Sequence, residues 1–402
     1  MTTSAITTSA GSRAATSTPE RLPGKALLGL FFAGFVGILT ECLPAGLLPD
    51  MARTLHTSVA ATGQLVTLYA AATALGAIPL TRLTTNWPRK NVLQLALGIV
   101  LVTNALTAVS GSYALTLVIR FTAGLGTALV WPLLAGYAAR LAPAGRQNRA
   151  IAIALAGTPV SLALGIPLGT YMAKFGGWQT AFWGSAALTG LVMLWVLATL
   201  PNLSGLPQDQ RHRIRDVLVF PGVRTIMVVV AAYVVAHNIL YTYITDFLAF
   251  AGMGGNAGWV LLAFGVTSVL SVLVVGQHID HHLRKLVLAS TVLFAVCVLV
   301  MAVFTGVPAL IYVAAAAWGL AFGSSPSLFF AASIDAAKEA PDVAQSITVT
   351  VFSGSIAAGG LVGGLLIAGL GTASMTWAAL ILLVFAAVLV AGGRRHAFPS
   401  TD

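Results

Sequence analysis

Charged side chains are scarce in this chain. Only 8% of its 402 residues are Asp, Glu, Lys or Arg, whereas soluble domains carry about 25%. Hydrophobic residues make up 58% of the sequence, and the mean hydropathy is +0.92. This composition excludes a water-exposed globular protein and leaves no room for a sizeable soluble catalytic domain.

Disulfide frameworks, ATP-binding loops and metal-ligand patterns are also missing. The two cysteines, Cys42 and Cys297, stand singly in apolar stretches. No Gly-x-x-x-x-Gly-Lys-Ser/Thr sequence offers a phosphate-binding loop. Three histidines and Asp280 cluster in 278–282, but no fourth ligand lies at zinc spacing. We therefore predict no metal, no cofactor and an ion or substrate gradient as the source of energy.

Long apolar runs dominate the chain. Each is close to the ~20 residues that cross ~30 Å of hydrocarbon. The twelve runs are 26–48, 60–81, 91–110, 114–138, 150–173, 178–200, 224–247, 257–277, 286–304, 307–330, 343–370 and 373–393. We predict an all-α integral membrane protein with twelve transmembrane helices.

The positive charge is distributed as expected for a membrane protein. The chain has 21 Lys and Arg against 11 Asp and Glu. With a cytoplasmic N-terminus, all the basic residues except Arg53, Lys174 and Arg120 fall on cytoplasmic segments. The positive-inside rule then places both termini in the cytoplasm, and we expect the plasma (inner) membrane. The charge is a topology signal, so no nucleic-acid partner is predicted.

An internal repeat divides the chain into two halves. At an offset of 195 residues, basic pairs and glycines coincide: Arg89-Lys90 with Arg284-Lys285, Gly124 with Gly319, Gly165 with Gly360, and Gly176 with Gly371. The repeat predicts two six-helix bundles that are related by an axis along the membrane normal. The predicted organisation is a disordered cytoplasmic tail (1–25), a first bundle (26–200), a cytoplasmic linker (201–223), a second bundle (224–393) and a cytoplasmic tail (394–402).

The loop after the eighth run carries a family motif. It reads Gly-Gln-His-Ile-Asp-His-His-Leu-Arg-Lys, with Gly276, Asp280, Arg284 and Lys285 at the defining positions. It resembles Gly-x-x-x-Asp-x-x-x-Arg-Lys, the signature loop of the major facilitator superfamily. The resemblance implies that this loop takes part in gating.

The first half matches the family in two places. Arg89 and Lys90 fit the same loop, but Thr85 stands where the acidic residue is expected, which argues against the usual carboxylate–arginine contact there. The fourth run contains Arg-x-x-x-Gly-x-Gly from Arg120, similar to the family's element in that helix.

The fifth run identifies a branch of the superfamily. It contains Gly157, Pro159, Gly165, Pro167 and Gly169, and resembles the glycine–proline motif of drug and sugar antiporters. The stretch 40–52 is similar to arabinose-efflux, sugar-efflux and chloramphenicol exporters. Physically, the glycines permit close helix contact and the prolines permit bending. Static close packing is the alternative.

Two ionisable residues lie deep in predicted spans. Helical rise places Glu41 and Arg120 at comparable depths in the outer half of the bilayer. Such groups are costly in hydrocarbon and suggest function. We predict that they face one central cavity and interact directly or through water, with Glu41 exchanging a proton or cation and Arg120 as its electrostatic partner. A purely structural ion pair is the alternative.

A second polar stretch lies near the outer end of the seventh run. Asp246 is a second coupling candidate, or an anchor at the membrane interface. The Tyr-Thr-Tyr sequence of this stretch is similar to one in related exporters. The resemblance implies that it lines the substrate path and contacts the substrate. The predicted substrate contacts are His237, Asn238, Tyr241, Tyr243 and, from the fourth run, Trp131. A helix–helix hydrogen bond for His237 and packing for the aromatic residues are the alternatives.

The sequence therefore predicts a proton-coupled antiporter that exports small drugs, sugars or metabolites. Residues 26–200 would rock against 224–393, and the protein would act as a monomer whose partners are protons, its substrate and lipid. A nutrient-importing proton symporter or uniporter of the same fold remains open, as does a non-transporting receptor. An enzyme is not expected, because no nucleophile–base constellation lies in a recognisable motif.

Overall fold

The structure is a computed structural model that describes residues 22–205, 214–254, 256–337, 340–393 and 397–398. Most of the two predicted tails and the centre of the linker lie outside the described residues. The side chain of Pro167 also lies outside them, although its backbone is helical.

Helices account for all the regular secondary structure in the described residues. In the first half they are α1 (Gly24–Cys42), α2 (Leu48–Thr54), α3 (Val59–Thr84), α4 (Arg89–Val109), α5 (Tyr113–Leu141), α6 (Gln147–Leu155), α7 (Gly157–Val160), α8 (Ile166–Gly176) and α9 (Trp178–Thr199). In the linker and second half they are α10 (Ile214–Val219), α11 (Val223–Thr242), α12 (Ile244–Phe250), α13 (Ala257–Val303), α14 (Pro308–Phe322), α15 (Ser325–Ala336), α16 (Pro341–Leu370) and α17 (Ala373–Gly392).

These helices provide twelve membrane crossings. Eleven helical segments are long and apolar enough to span a bilayer. One of them, α13, has 47 residues and is interrupted at His282, whose φ of −132° is non-helical, so it makes two crossings. The predicted all-α membrane fold is confirmed.

The signature loop differs between the halves because of one proline. Pro88 precedes α4 and separates it from α3 by a short turn. Leu283 stands at the equivalent position of the second half. Since proline removes a backbone donor and disfavours helix in the residue before it, only the first-half connection leaves the helix. The predicted loop 278–285 is therefore helical on both sides of His282.

In the first half, a glycine brings α3 and α5 into backbone contact. A Cβ on Gly124 would collide with the carbonyl oxygen of Tyr69. The Thr73 hydroxyl donates to the carbonyls of Tyr69 and Gly124, both at 3.1 Å. The two helices are thus in close contact at Gly124, where α5 has no room for a side chain.

The same contact recurs 195 residues later, between α13 and α14. A Cβ on Gly319 would collide with the carbonyl oxygen of Phe264. The Ser268 hydroxyl donates to the carbonyls of Phe264 at 2.8 Å and Gly319 at 3.2 Å. The internal repeat therefore extends to individual hydrogen bonds.

We expect alanine at either glycine to destabilise the protein. Gly124→Ala and Gly319→Ala should each lower the free energy of unfolding by about 1–3 kcal/mol, the usual cost of overpacking. Thermal unfolding of the purified protein in detergent measures the effect. Gly360→Ala is the control, because a Cβ there meets nothing within 4 Å. Equal melting temperatures for all three variants would contradict the proposed role of the backbone contacts.

The most extensive contacts between the two halves are made by four helix pairs. The helix α16 packs against α3 and α5, while α6 packs against α13 and α15. The halves thus contact each other on both sides of a central cavity.

Candidate functional site

The central cavity has a volume of about 80 Å³ and is lined by both halves. The first half contributes Ile38, Glu41, Trp131, Leu155 and Thr158. The second half contributes Pro326, Phe330, Val349, Phe352, Ser353 and Ile356. One water molecule needs ~10–15 Å³ in the same measure, so this space holds several waters or one small organic molecule.

Glu41 reaches the cavity from the last turn of α1. Carbonyl groups in the last turn of a helix lack intrahelical partners. The carbonyl oxygen of Glu41 accepts a 3.1 Å hydrogen bond from Nη2 of Arg120 on α5. Within the described part of the chain, the Glu41 carboxylate has no ion pair within 4.0 Å. The site therefore presents a carboxyl group whose charge no neighbouring side chain neutralises by direct contact.

Arg120 is fully buried beside this site, with an exposed fraction of 0%. Its guanidinium carbon lies 4.5 Å from the centre of the Tyr69 ring, a cation–π distance. Its Nε and Nη1 have no hydrogen-bond partner among the described residues. The contact between Arg120 and Glu41 thus runs through the main-chain oxygen of Glu41, and within the described residues no ion pair joins the two side chains. The assigned coupling roles stay predictions.

The glycine–proline run packs the fifth crossing against α1. A Cβ on Gly157 would collide with the carbonyl oxygen of Phe31, and one on Gly169 would collide with Leu43. A Cβ on Gly165 would lie 3.1 Å from Cδ1 of Leu39. Just after the buried Pro159, the helix widens into a π-turn over Ser161–Gly165. These residues bring the fifth crossing close to the helix that carries Glu41.

The predicted substrate residues of the seventh crossing lie in two different surroundings and are not among the eleven residues that line the central cavity. The His237 ring stacks on Phe322 with centroids 3.4 Å apart and also contacts Trp318. Tyr241 stacks on His237 from the more exposed side. His237 therefore belongs to an aromatic core of the second half.

The other two residues of that stretch pack against glycines of α16. Tyr243 donates to the carbonyl oxygen of Gly360 at 2.8 Å. A Cβ on Gly359 would lie 2.5 Å from the Cβ of Asn238. Of the predicted substrate contacts, only Trp131 lines the cavity, and the substrate roles of all five stay predictions.

Asp246 lies in the first turn of α12 and is exposed. Its Oδ2 accepts a 3.5 Å hydrogen bond from the adjacent Thr245. A carboxylate is favourable at the N-terminal end of a helix, which fits the anchoring alternative. A part in coupling stays a prediction.

At the end of the bundle where α1 begins and α17 ends, here called the terminal end, the halves are joined by an ion pair. Arg89, the first residue of α4, contacts the carboxylate of Asp342 in the first turn of α16. Their side chains are only 4% and 13% exposed. Sequence reasoning missed this pair because Thr85 occupies the usual acidic position. Asp342 follows a proline at the start of a helix, which was the available signal.

The signature motif of the second half joins the halves at the same end. Asp280 accepts a 2.9 Å hydrogen bond from the backbone N–H of Arg149, in the first turn of α6. A Cβ on Gly276 would lie 3.8 Å from the Cβ of Ala152, also on α6. Asp280 thus satisfies a free helix N-terminus across the interface. Among the described residues, no three His, Cys, Asp or Glu side chains converge as metal ligands.

Two basic motif residues brace their own halves. Lys90 donates to the carbonyl oxygen of Leu197 at 2.6 Å, and Arg284 donates to that of Ala391 at 3.1 Å. Leu197 lies near the end of α9 and Ala391 near the end of α17, the last crossing of each half. Lys90 and Arg284 therefore contact their own halves, whereas Arg89 contacts the other half.

Some residues that line the cavity occupy equivalent positions of the internal repeat. The repeat was therefore a signal for part of the lining that sequence reasoning missed. Thr158 and Ser353 are 195 residues apart, as are Trp131 and Pro326. Both pairs line the cavity from opposite halves. Equivalent positions of the repeat thus face the same space, although nothing in one position alone indicated it.

Comparison with known proteins agrees with this architecture. Residues 30–255 match the family model of the Major Facilitator Superfamily. Among solved structures, the human organic anion transporter MFSD10 is 16% identical, with a TM-score of 0.76, and the match covers 92% of this chain and 100% of that one. The proton:xylose symporter XylE is 14% identical, with a TM-score of 0.78 and coverage of 92% and 95%.

The fucose:proton symporter FucP of E. coli is also 14% identical, with a TM-score of 0.75 and coverage of 93% and 99%. At these identities, the similarity concerns the fold. The family match covers more than half of the chain, and the twelve crossings agree with it. The chain belongs to the Major Facilitator Superfamily and is a multi-pass membrane transporter rather than an enzyme.

Proposed function

We propose that the protein is a proton-coupled antiporter that exports small drugs, sugars or metabolites by alternating access. The observation that carries the proposal is the position of Glu41 in a cavity between the halves. A carboxyl group there can hold either a proton or a substrate group, so occupancy by one opposes occupancy by the other. That exclusion is what exchange requires.

The contacts at the terminal end supply the conformational part of the mechanism. The ion pair of Arg89 with Asp342 and the hydrogen bond of Arg149 to Asp280 form only while the halves are together at that end. Breaking them and rocking the halves would expose the cavity there. By the positive-inside rule, the terminal end is cytoplasmic and the membrane is the plasma membrane. We propose that a monomer performs this cycle.

Proton symport into the cell is a second candidate. XylE and FucP are both proton symporters by description. The same carboxyl group serves symport if proton and substrate occupy the cavity together. The glycine–proline run favours export by resemblance, and it also has the close-packing role described above.

Uptake into proteoliposomes with an imposed pH gradient tests the proposal. Candidate antibiotics, sugars and nucleosides are supplied outside vesicles with an acidic lumen. Antiport predicts accumulation that a protonophore abolishes, because protons leave as substrate enters. Accumulation only when the outside is acidic would establish symport instead. Equilibration without accumulation under either gradient would contradict proton coupling.

A further inference from the structure

The lining of the central cavity has an unusual balance of chemical groups. Glu41 is the only ionisable side chain among its eleven lining residues. Thr158 and Ser353 add two hydroxyl groups, and the other eight side chains are apolar or aromatic. A ligand in this cavity therefore meets one negative charge, little hydrogen-bonding capacity and much apolar surface.

This balance disfavours several classes of ligand. A sugar would bury many hydroxyl groups with few partners, and unsatisfied buried polar groups are costly. An anion would face Glu41 with no basic side chain in the lining. A divalent metal ion prefers six or more oxygen ligands, and a single carboxylate does not supply them. An organic cation with apolar substituents has none of these defects.

The nearby arginine does not neutralise the site by direct contact. Arg120 directs Nη2 to the main-chain oxygen of Glu41, and its guanidinium lies over the Tyr69 ring. Arg120 is not part of the cavity lining. The carboxylate of Glu41 is thus available to a cation that enters the cavity.

Aromatic rings surround the same space. Trp131, Phe330 and Phe352 all line the cavity, and an aromatic face attracts a cation within about 6 Å. The indole of Trp131 packs on the helix that carries Glu41. Its Cζ2 atom lies 3.5 Å from the place that a Cβ on Gly37 would occupy. Gly37 is one turn before Glu41, so charge and ring lie on neighbouring parts of one wall.

A free hydroxyl adds a polar contact. The Oγ1 atom of Thr158 is buried and has no hydrogen-bond partner in the part of the chain that the structure describes. It faces the cavity from the fifth crossing. The N–H group of an amine would satisfy it, whereas a quaternary ammonium ion would depend on the carboxylate and the aromatic rings alone.

We infer that the substrate is a small monovalent organic cation, an amine or quaternary ammonium with an apolar substituent. Glu41 provides its counter-charge and the three aromatic side chains surround its head group. The inference rests on the proposed function, because it makes the substrate cation the species that exchanges with the proton on Glu41.

Equilibrium dialysis of the purified full-length protein with radiolabelled benzyltrimethylammonium tests the inference without requiring transport. This probe is permanently charged and carries no proton. The neutral competitor is neopentylbenzene, in which carbon replaces nitrogen, and the anionic competitor is phenylacetate. We expect saturable binding, with neopentylbenzene at least about tenfold weaker and no competition by phenylacetate.

Two variants connect the binding to named side chains. Glu41→Gln should weaken binding of the cation by about tenfold or more through loss of the charge, and Trp131→Leu by about threefold to tenfold. Asp50→Asn is the control, because Asp50 pairs with Arg53 outside the cavity. Circular dichroism and melting temperature establish that each variant is folded.

The inference and the proposed function fail in different ways. Equal competition by neopentylbenzene, unchanged binding in folded Glu41→Gln, or no saturable binding by folded wild-type protein overturns the inference. Proton-driven transport of a neutral solute would then leave antiport intact. Saturable cation binding without accumulation of the cation under either pH gradient would instead support the site and overturn proton coupling.

Discussion

Glu41→Gln abolishes uphill transport, while downhill movement of substrate persists at concentrations high enough to offset its weaker binding. A proton gradient equivalent to 100 mV supplies ~2.3 kcal/mol per proton, and tenfold accumulation costs about 1.4 kcal/mol. A single coupled proton thus supports about 50-fold accumulation, and an amide that carries no exchangeable charge reduces this ratio to about one. Substrate uptake with an imposed pH gradient, with and without a protonophore, measures both values.

Asp50→Asn is the matched control for this prediction. Asp50 is also a carboxylate near the end of the first crossing, but it is half-exposed and pairs with Arg53 three residues on. Exposed ion pairs contribute little energy, so accumulation should stay at the wild-type ratio. Protonophore-sensitive accumulation by Glu41→Gln would mean that another group carries the proton.

Neutralising one partner of the Arg89–Asp342 pair opens the terminal end. Removing one partner leaves a mostly buried charge unpaired, at a cost of about 3–5 kcal/mol. Because the pair forms between the halves, this cost destabilises the closed arrangement. We expect Arg89→Gln and Asp342→Asn each to reduce the initial transport rate by about tenfold or more, since 1.4 kcal/mol already shifts a two-state equilibrium tenfold.

A cysteine pair reports this opening directly. The Cβ positions of Gly276 and Ala152 are 3.8 Å apart across the halves, which is the usual separation in a disulfide. In a background without Cys42 and Cys297, Gly276→Cys with Ala152→Cys should cross-link readily. Neutralisation of Asp342 should lower the yield.

The reversed pair provides the control for that experiment. Arg89→Asp combined with Asp342→Arg keeps both charges and should recover cross-linking above the level of either single change. If Asp342→Asn cross-links as fully as wild type, the ion pair does not hold the halves together.

Patterns along the chain predict the fold well because the bilayer imposes them. Apolar length fixes the crossings, and the distribution of basic residues fixes an expected topology. The 195-residue offset also aligns Gly124 with Gly319, the two glycines at which α5 meets α3 and α14 meets α13. These features depend on local composition or on close backbone approach. Both are visible in the sequence, as apolar runs, basic residues and glycines.

The site is harder to predict because its contacts join distant segments. Depth calculations brought Glu41 and Arg120 to the same level, but they could not distinguish a carboxylate contact from one with the main chain. Resemblance placed His237 on the substrate path, which stays a prediction, but it gave no sign that the ring stacks on Phe322. Helical periodicity gives a residue's face, but the neighbour on that face depends on how the bundle packs.

The Arg89–Asp342 pair illustrates the same limit at the terminal end. The missing acid at Thr85 was visible in the sequence, but its replacement lies 253 residues from Arg89 along the chain. Only the packing of α16 beside the first half brings that carboxylate into place. A departure from a motif therefore did not mean loss of the contact.

Substrate-evoked proton movement tests the central claim most directly. Wild-type protein is reconstituted in vesicles with a luminal pH dye, and a transported substrate is added without any imposed pH gradient. Proton-coupled exchange at Glu41 predicts that the lumen becomes alkaline as substrate enters, and that Glu41→Gln gives no pH change. Substrate entry at the wild-type rate with constant luminal pH would contradict the account.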